Sequence, residues 1–289
     1  MIPPAFEYLR PNTISEAIAL LEQYGDDAKI LSGGQSLIPM MKLRLARPGY
    51  LIDINRIAGL SYLGEEGGFL RIGGLTRETE LENSPLIRAK YPIILDTARV
   101  IADPQVRNLA TVGGNLAHGD PANDHPATML ALGAQVVATG PSGERIIPIE
   151  EFFLSLFSTA LQQAEILTEI RIPVPPARSG GAYFKLERKV GDFATAAAAA
   201  QLTVDEGGTA QKVGIALTNV GPKPVKARKA EDFLRGKKVD AASIVQAAQL
   251  AAEESQPSSD LRGPAEYKKG LVKELAKRAL SRALERAGK

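Results

Sequence analysis

Short apolar runs and amphipathic stretches alternate along the first half of the chain, and their two periodicities predict which are strands and which are helices. Thr13, Ile14, Ser15 and Glu16 have capping-box spacing, in which an N-cap hydroxyl and a carboxylate three residues on each take a free backbone N–H. Ile14, Ala17, Ile18 and Leu21 then recur on one helical face, and Gly25 stands where that helix would end. The apolar run Ala28 to Leu31 predicts a strand running into Ser32-Gly33-Gly34, and Tyr50 to Ile54 predicts another. Leu70 to Ile72 reads as a strand. Helices are expected over Thr79 to Glu82 and over Ile87 to Ile101, the second ending before Asp103-Pro104, because a residue preceding proline is pushed out of the helical region. Residues 103–126 contain Pro104, Gly113, Gly114, Gly119, Pro121 and Pro126 and few helix or strand signals, so they read as one long loop. A loop of that length inside a compact domain is usually functional.

Further on, Ala134 to Thr139, Arg145 to Ile149 and Glu165 to Ile172 predict strands, the first two joined by turn residues at Pro141-Ser142-Gly143-Glu144. Pro173 to Ala177 reads as a linker. Beyond it, Ala182 to Arg188, Ala194 to Val204 and Gln211 to Asn219 predict strands. Ala196 to Ala200 would favour a helix by intrinsic propensity, but the β-like flanks point to a strand packed closely against a neighbour. Asp240 is placed to cap a helix over Ala241 to Glu254, and Tyr267 to Arg286 reads as a basic amphipathic helix with Leu271, Leu275, Ala279, Leu280 and Leu284 inward. There is no internal repeat. Single strands mixed with helices, followed by clustered strands, predict an α+β architecture and not a doubly wound sheet.

Composition narrows the function. With 289 residues, 44% of them hydrophobic, the chain can build a real core and two or three subdomains of roughly 100 residues each. Its 35 basic and 33 acidic residues nearly cancel, which gives no nucleic-acid footprint and no general attraction to an anionic membrane. Cysteine is absent, so disulfides, iron–sulfur clusters, thiolate zinc sites and cysteine nucleophiles are all excluded from this chain. The N-terminal residues show no charged segment followed by an apolar one, and the run from Phe193 to Val204 is too short and Ala-rich to span a bilayer. No secretory signal or transmembrane segment is expected, and the cytoplasm is the expected compartment.

The candidate chemistry lies in two Gly-Gly pairs, Ser32-Gly33-Gly34-Gln35-Ser36 and Thr111-Val112-Gly113-Gly114-Asn115. Glycine reaches backbone angles closed to other residues and removes the side chain that would block close approach, so N–H groups in such loops can converge on an anion. Hydroxyls and amides of Ser32, Gln35, Ser36, Thr111 and Asn115 add donors, and two such loops could grip a pyrophosphate from opposite sides. Each loop taken singly is equally readable as a glycine turn between strands. Neither a Gly-x-Gly-x-x-Gly turn nor a Gly-x4-Gly-Lys-Ser/Thr loop is present, which removes the Rossmann and P-loop readings.

Taken in order, these segments resemble a family. Ile30 to Lys42, and Ala110 to Leu116 followed by Asp120-Pro121-Ala122-Asn123-Asp124, are similar to the two FAD-binding loops of the molybdenum hydroxylase flavoproteins. Phe6-Glu7-Tyr8, Asp53-Ile54, Lys185 to Arg188, Gly191 to Ala194 and Arg262 to Tyr267 extend the likeness over nearly the whole chain. Within the family the resemblance is greatest to medium subunits of aerobic carbon monoxide dehydrogenases, and more distant to the flavin domain of xanthine dehydrogenase. It implies a two-subdomain FAD-binding domain of the molybdopterin dehydrogenase (PCMH-like) type, over 1–58 and 59–175. A C-terminal domain with an antiparallel sheet and helices would follow over 176–289. It also implies noncovalent FAD held by Ile30, Leu31, Ser32, Gly33, Gly34, Gln35, Ser36 and Leu37 and by Thr111, Val112, Gly113, Gly114 and Asn115. Asp124 is implied as a polar contact, Leu167 and Lys185 as further flavin contacts, and Ile101 as an apolar neighbour of the cofactor. No catalytic acid–base residue is implied. Molybdopterin would belong to a large partner subunit and two [2Fe–2S] clusters to a small one, with this chain passing electrons to an external acceptor. The whole complex would be cytoplasmic, with peripheral attachment to the inner membrane face.

The two histidines, His118 and His125, both fall in the second loop region. A metal site would need ligands beyond them, and Asp120 and Asp124 meet no recognised spacing, so structural roles are favoured. Asp120 reads as a turn cap, and Asp124 as a hydrogen-bonding partner of the cofactor's ribityl chain or of the loop itself.

Overall fold

The computed structural model describes residues 2–288. Three sheets organise them. The first is parallel and small: β1 (Glu7–Leu9), β2 (Ala28–Leu31) and β3 (Tyr50–Asp53), in spatial order β1-β3-β2, with α1 (Ile14–Tyr24) and α2 (Leu37–Lys42) as the crossovers. Ala17, Ile18 and Leu21 of α1 bury against Ile52 and Ile54. Thr13 caps α1 as its spacing predicts, accepting from the Glu16 N–H at 3.1 Å, while the Glu16 carboxylate reaches back to the N–H of Asn12.

The second sheet contains β4 (Leu63–Glu66), β5 (Phe69–Gly73), β6 (Gln135–Gly140), β7 (Gly143–Pro148) and the long strand β10 (Ile166–Pro173). It is antiparallel, in order β4-β5-β10-β6-β7. A small hairpin of β8 (Phe153–Ser155) and β9 (Ser158–Thr159) lies before β10. The helices between β5 and β6 depart from the sequence reading. The single helix expected over Ile87 to Ile101 is two, α4 (Pro85–Lys90) and α5 (Pro92–Val100), because Pro92 forces Tyr91 out of helical angles, to φ −128° and ψ 55°. The long loop expected over residues 103–126 holds α6 (Pro104–Arg107), α7 (Val112–Ala117) and the start of α8 (Asp124–Leu132). The residues that signalled loop are helix starts: Asp103 and Thr111 are side-chain N-caps and Pro104 sits in the first turn. Residues Asp124–Ala131 of α8 are buried on every side, which erases the one-faced pattern by which a helix is recognised.

In the third sheet, β11 (Ser179–Leu186), β12 (Ala196–Val204), β13 (Ala210–Thr218) and β14 (Val225–Lys226) run antiparallel in sequence order, with α9 (Ile149–Phe152) preceding the sheet in the chain. They are followed by α10 (Arg228–Leu234), α11 (Ala241–Glu254) and α12 (Ala265–Ala287). The alanine run is a strand, as its flanks predict, and strand alternation explains it. Ala197 and Ala199 face a core shared with α5 and α8, whereas Ala196, Ala198 and Ala200 face a second core under α11 and α12. Only a small side chain lets elements close on both faces of one strand. Leu275, Ala279 and Leu280 of α12 are buried, and Leu271 and Leu284 are partly so. No described helix is long and apolar enough to cross a membrane.

Candidate functional site

A cavity of about 530 Å³ opens between the first sheet, the loop after β2, α7, the start of β10 and the end of β11. Every position to which the family resemblance gave a cofactor contact lines it, except Leu31 and Val112. Val112 is fully buried in the central core, and the Leu31 side chain lies against the Gly34 backbone. The two glycine segments are 79 residues apart at Ser32 and Thr111, yet those hydroxyls meet at 3.2 Å. Their backbones also pack directly. A Cβ on Gly33 would lie 2.8 Å from Ala110 Cα and against the Leu109 carbonyl, and one on Gly114 would lie 2.6 Å from Thr111 Oγ1 and 2.7 Å from Ser32 Oγ. Gly34 has φ +73°, which a side chain rarely adopts.

The sequence gives the two loops the same task, and the structure gives them different ones. In the first, the N–H groups of Gly33, Gly34, Gln35, Ser36 and Leu37 have no acceptor among the described residues. Five consecutive free N–H groups on a turn form a nest that attracts an anion. Its back is braced by Asn55, which donates to the Ser32 carbonyl at 2.7 Å and accepts from Arg77 at 2.6 Å. In the second loop the N–H groups are already engaged. Val112 donates to the Thr76 carbonyl, Gly113 to that of Gly74, Gly114 to Thr111 Oγ1 and Asn115 to the Thr111 carbonyl, all at 2.9–3.1 Å. This corrects the expectation of two opposed N–H cradles: the second loop is a tightly packed wall. A Cβ on Gly113 would lie 2.5 Å from the Gly74 carbonyl oxygen, so glycine there serves packing. This wall lines the cavity with the side chains of Thr111 and Asn115, and Asn115 Oδ1 is buried with no partner among the described residues.

Beyond the loops the cavity meets a charged cluster. Lys185, whose side chain is 2% exposed, donates to Asp124 Oδ2 and to the Val100 carbonyl, both at 2.9 Å, and its ammonium lies 3.2 Å from Glu187. Asp124 Oδ1 accepts from the Tyr183 hydroxyl at 2.6 Å. Burial pushes the Asp124 carboxyl up, against the pull of Lys185 and Tyr183. Asp124 thus lines the cavity itself and also holds Lys185 at its wall. Asp120, as its turn position predicts, accepts from the N–H of Ala122 at 2.8 Å. His125 is fully buried and paired with Glu78 at 2.7 Å, while His118 lines the cavity with its ring centroid 5.1 Å from that of Phe157, and burial lowers its pKa.

Residues without an earlier assignment also line the cavity, among them Lys29, Asn123, Gln163 and Phe193. Phe193 lies in a segment that carried the resemblance, but neither Lys29 nor Gln163 has any local signal, since the fold brings them in from β2 and the approach to β10. Among the described residues no nucleophile–base hydrogen bond stands in the cavity. The observations fit a dinucleotide: a nest of free N–H groups for a diphosphate, glycines that let the two loops close against each other beside it, a buried amide oxygen with no partner among the described residues, and apolar walls from Ile30, Ile101, Leu167 and Phe193 for rings.

Residues 4–175 match the family described as the FAD binding domain in molybdopterin dehydrogenase, and residues 181–283 match the CO dehydrogenase flavoprotein C-terminal domain. The chain is 46% identical to the carbon monoxide dehydrogenase medium chain of Hydrogenophaga pseudoflava and 47% identical to that of Afipia carboxidovorans, over 99% of each chain in both cases. It is also similar to a solved carbon monoxide dehydrogenase structure from Hydrogenophaga pseudoflava, with a TM-score of 0.96 at 48% identity over 99% of both chains. With cavity, glycine loops and both domains in agreement, the chain belongs to the FAD-binding flavoprotein family of the molybdopterin dehydrogenases.

Proposed function

We propose that this chain is the FAD-carrying electron-transfer subunit of a molybdenum hydroxylase of the carbon monoxide dehydrogenase type. It would take electrons from the iron–sulfur clusters of a small partner subunit, while a large partner subunit oxidises the substrate at molybdopterin. The observation that carries this reading is the pairing of an unengaged N–H nest with an apolar, polar-tipped cavity. FAD supplies the electron-transfer chemistry that side chains lack, so the protein's contribution is binding, orientation and electrostatics.

In this reading the N–H groups of Gly33 to Leu37 hold the diphosphate, with Ser32 and Ser36 beside them. Thr111, Gly114 and Asn115 form the facing wall. Ile101, Leu167 and Phe193 exclude water from the ring system. Lys185 has Asp124, Glu187 and the Val100 carbonyl around its ammonium, so it acts on the cofactor chiefly through charge. Carbon monoxide is favoured as the substrate of the complex by the identity to two carbon monoxide dehydrogenase medium chains. We place the complex in the cytoplasm, peripheral to the inner membrane face, and the boundaries of its three units near residues 58 and 175.

The test has two parts. The full chain reconstituted with FAD should show a flavin spectrum that dithionite bleaches, and Gly114→Asp, which sets a carboxylate into the wall, should abolish retention. The complex purified from its native cell should contain molybdenum and iron and reduce an artificial dye when given carbon monoxide. A chain that turned over a small molecule without partners would refute the electron-transfer role.

A further inference from the structure

Tyr183 has no direct place among the cavity walls, yet it ends in the flavin site's charged cluster. Tyr183 and Lys185 are two residues apart on β11, so their side chains leave the same face of the strand. Each takes one oxygen of the same carboxylate: the Tyr183 hydroxyl donates to Asp124 Oδ1 and Lys185 donates to Asp124 Oδ2. The Tyr183 hydroxyl also lies 3.1 Å from Thr218 Oγ1 of β13, a fully buried contact that fixes where it points. The backbone beneath is pinned as well. Asp96 of α5 lies 3.4 Å from the Tyr183 N–H and receives Arg286 of α12 at 2.5 Å, and Arg286 donates to the neighbouring Gly181 carbonyl at 2.6 Å.

A carboxylate this deeply buried stays charged only where donors surround it. Asp124 has two, and only one of them faces the cavity. We propose that Tyr183 is a positioning residue of the FAD site: by holding one oxygen of Asp124 it keeps that carboxylate aimed, so that Lys185 is held at the cavity wall. This rests on the reading of the cavity as an FAD site. The titratable and charged groups facing Asp124 are Tyr183 and Lys185 of β11, Glu187 just beyond that strand, and its own neighbour His125, which is paired with Glu78 at the start of the helix Glu78–Asn83. His118 of α7 lines the same cavity.

The experiment is an FAD titration of the full chain assembled with its partner subunits, wild type against Tyr183→Phe, across pH 6 to 8.5, with thermal melting of each protein. Phenylalanine keeps the ring and removes only the donor. A hydrogen bond to a buried charge corresponds to roughly a tenfold to hundredfold effect, so the FAD dissociation constant should rise by about that factor. Because the variant's Asp124 protonates more readily, the ratio of variant to wild-type constants should grow as pH falls, and taking the ratio removes any titration of His118 common to both. In an Asp124→Asn background the same change should have little further effect. Thr218→Val, which loosens the hydroxyl without touching Asp124, should reproduce a weaker form of the pH-dependent loss and serves if Tyr183→Phe does not fold. Equal FAD affinity in wild type and both variants overturns this inference alone, as does a loss that is the same at every pH or undiminished in the Asp124→Asn background. Failure of the wild-type chain to bind FAD when assembled with its partner subunits overturns the cofactor reading instead.

Discussion

Gly33→Ala is the smallest change that should separate the two halves of the site. Gly33 needs no unusual backbone angle; its constraint is space, because the new methyl would lie 2.8 Å from Ala110 Cα and against the Leu109 carbonyl. Ordinary contact begins at 3.4 Å, so the backbone at Ala110 must retreat by roughly 0.6 Å, and backbone cannot swing aside as a side chain does. The hydroxyl contact from Ser32 to Thr111, already long at 3.2 Å, is then lost. Overpacking costs about 1–3 kcal/mol and a lost hydrogen bond about 1 kcal/mol. A ligand that touches both loops must restore their approach, so most of this cost should appear in FAD affinity. At 1.4 kcal/mol per tenfold, that is a loss of between about tenfold and several hundredfold. Fluorescence titration of the FAD-free chain measures it, and Gly64→Ala, where nothing lies within 4 Å of the new methyl, is the matched control. If Gly33→Ala binds FAD as tightly as Gly64→Ala, the loops do not close on the cofactor as described.

Other changes probe the charged cluster and the packing. Lys185→Met leaves Asp124 buried without its ion pair, a loss of about 3–5 kcal/mol that should lower the melting temperature by about 10 °C and release FAD. Asp124 already has a raised folded pKa, and removing Lys185 raises it further. A carboxyl raised in the folded state stabilises below its unfolded pKa and loses that contribution as pH rises through the folded one, so the deficit of Lys185→Met should shrink from pH 8 towards pH 5; a pH-independent deficit would contradict this. For Asp192 the sign reverses: against its burial, hydrogen bonds from Arg262, Arg188 and the Phe193 N–H hold it down at about 2. Arg262→Gln should thus be less stable than wild type at pH 7, with the difference fading as pH drops from about 4 to about 2, as acid-dependent melting would show. Ala198→Leu should overfill the core beneath α11 and α12 and cost about 1–3 kcal/mol in denaturant melts while leaving FAD affinity within twofold, since Ala198 faces away from the cavity.

Where a feature depends on neighbours in the chain, it was legible from the residues alone. The Thr13 cap, the strand into Ser32-Gly33-Gly34, the alternation through the alanine run and the helix after Asp240 all follow from spacing, because capping and periodicity are local. Zero cysteines by itself placed any iron–sulfur centre in another chain. The Gly-Gly pairs marked the loops as places of close backbone approach but could not say what would approach. In the first, the close neighbour is the second loop, and the free N–H groups remain for a ligand; in the second, the neighbour is the Gly74 backbone, and the N–H groups are taken. Thr111, as a local N-cap, takes the N–H groups of Gly114 and Asn115, but the loss of those of Val112 and Gly113 was invisible locally because it depends on acceptors at positions 76 and 74. The helices inside residues 103–126 were missed because burial on all sides removes the amphipathic signal of α8, because α6 and α7 are only 4 and 6 residues long, and because the same proline that ends one helix can begin another. Tyr183 carried no signal either: its part is set by which face of β11 meets α8. Sequence thus determined the elements and the residue types able to hold an anion, while tertiary structure decided which of those groups stay unpaired, since hydrogen bonds and buried charges are satisfied by whatever the fold brings within about 3 Å.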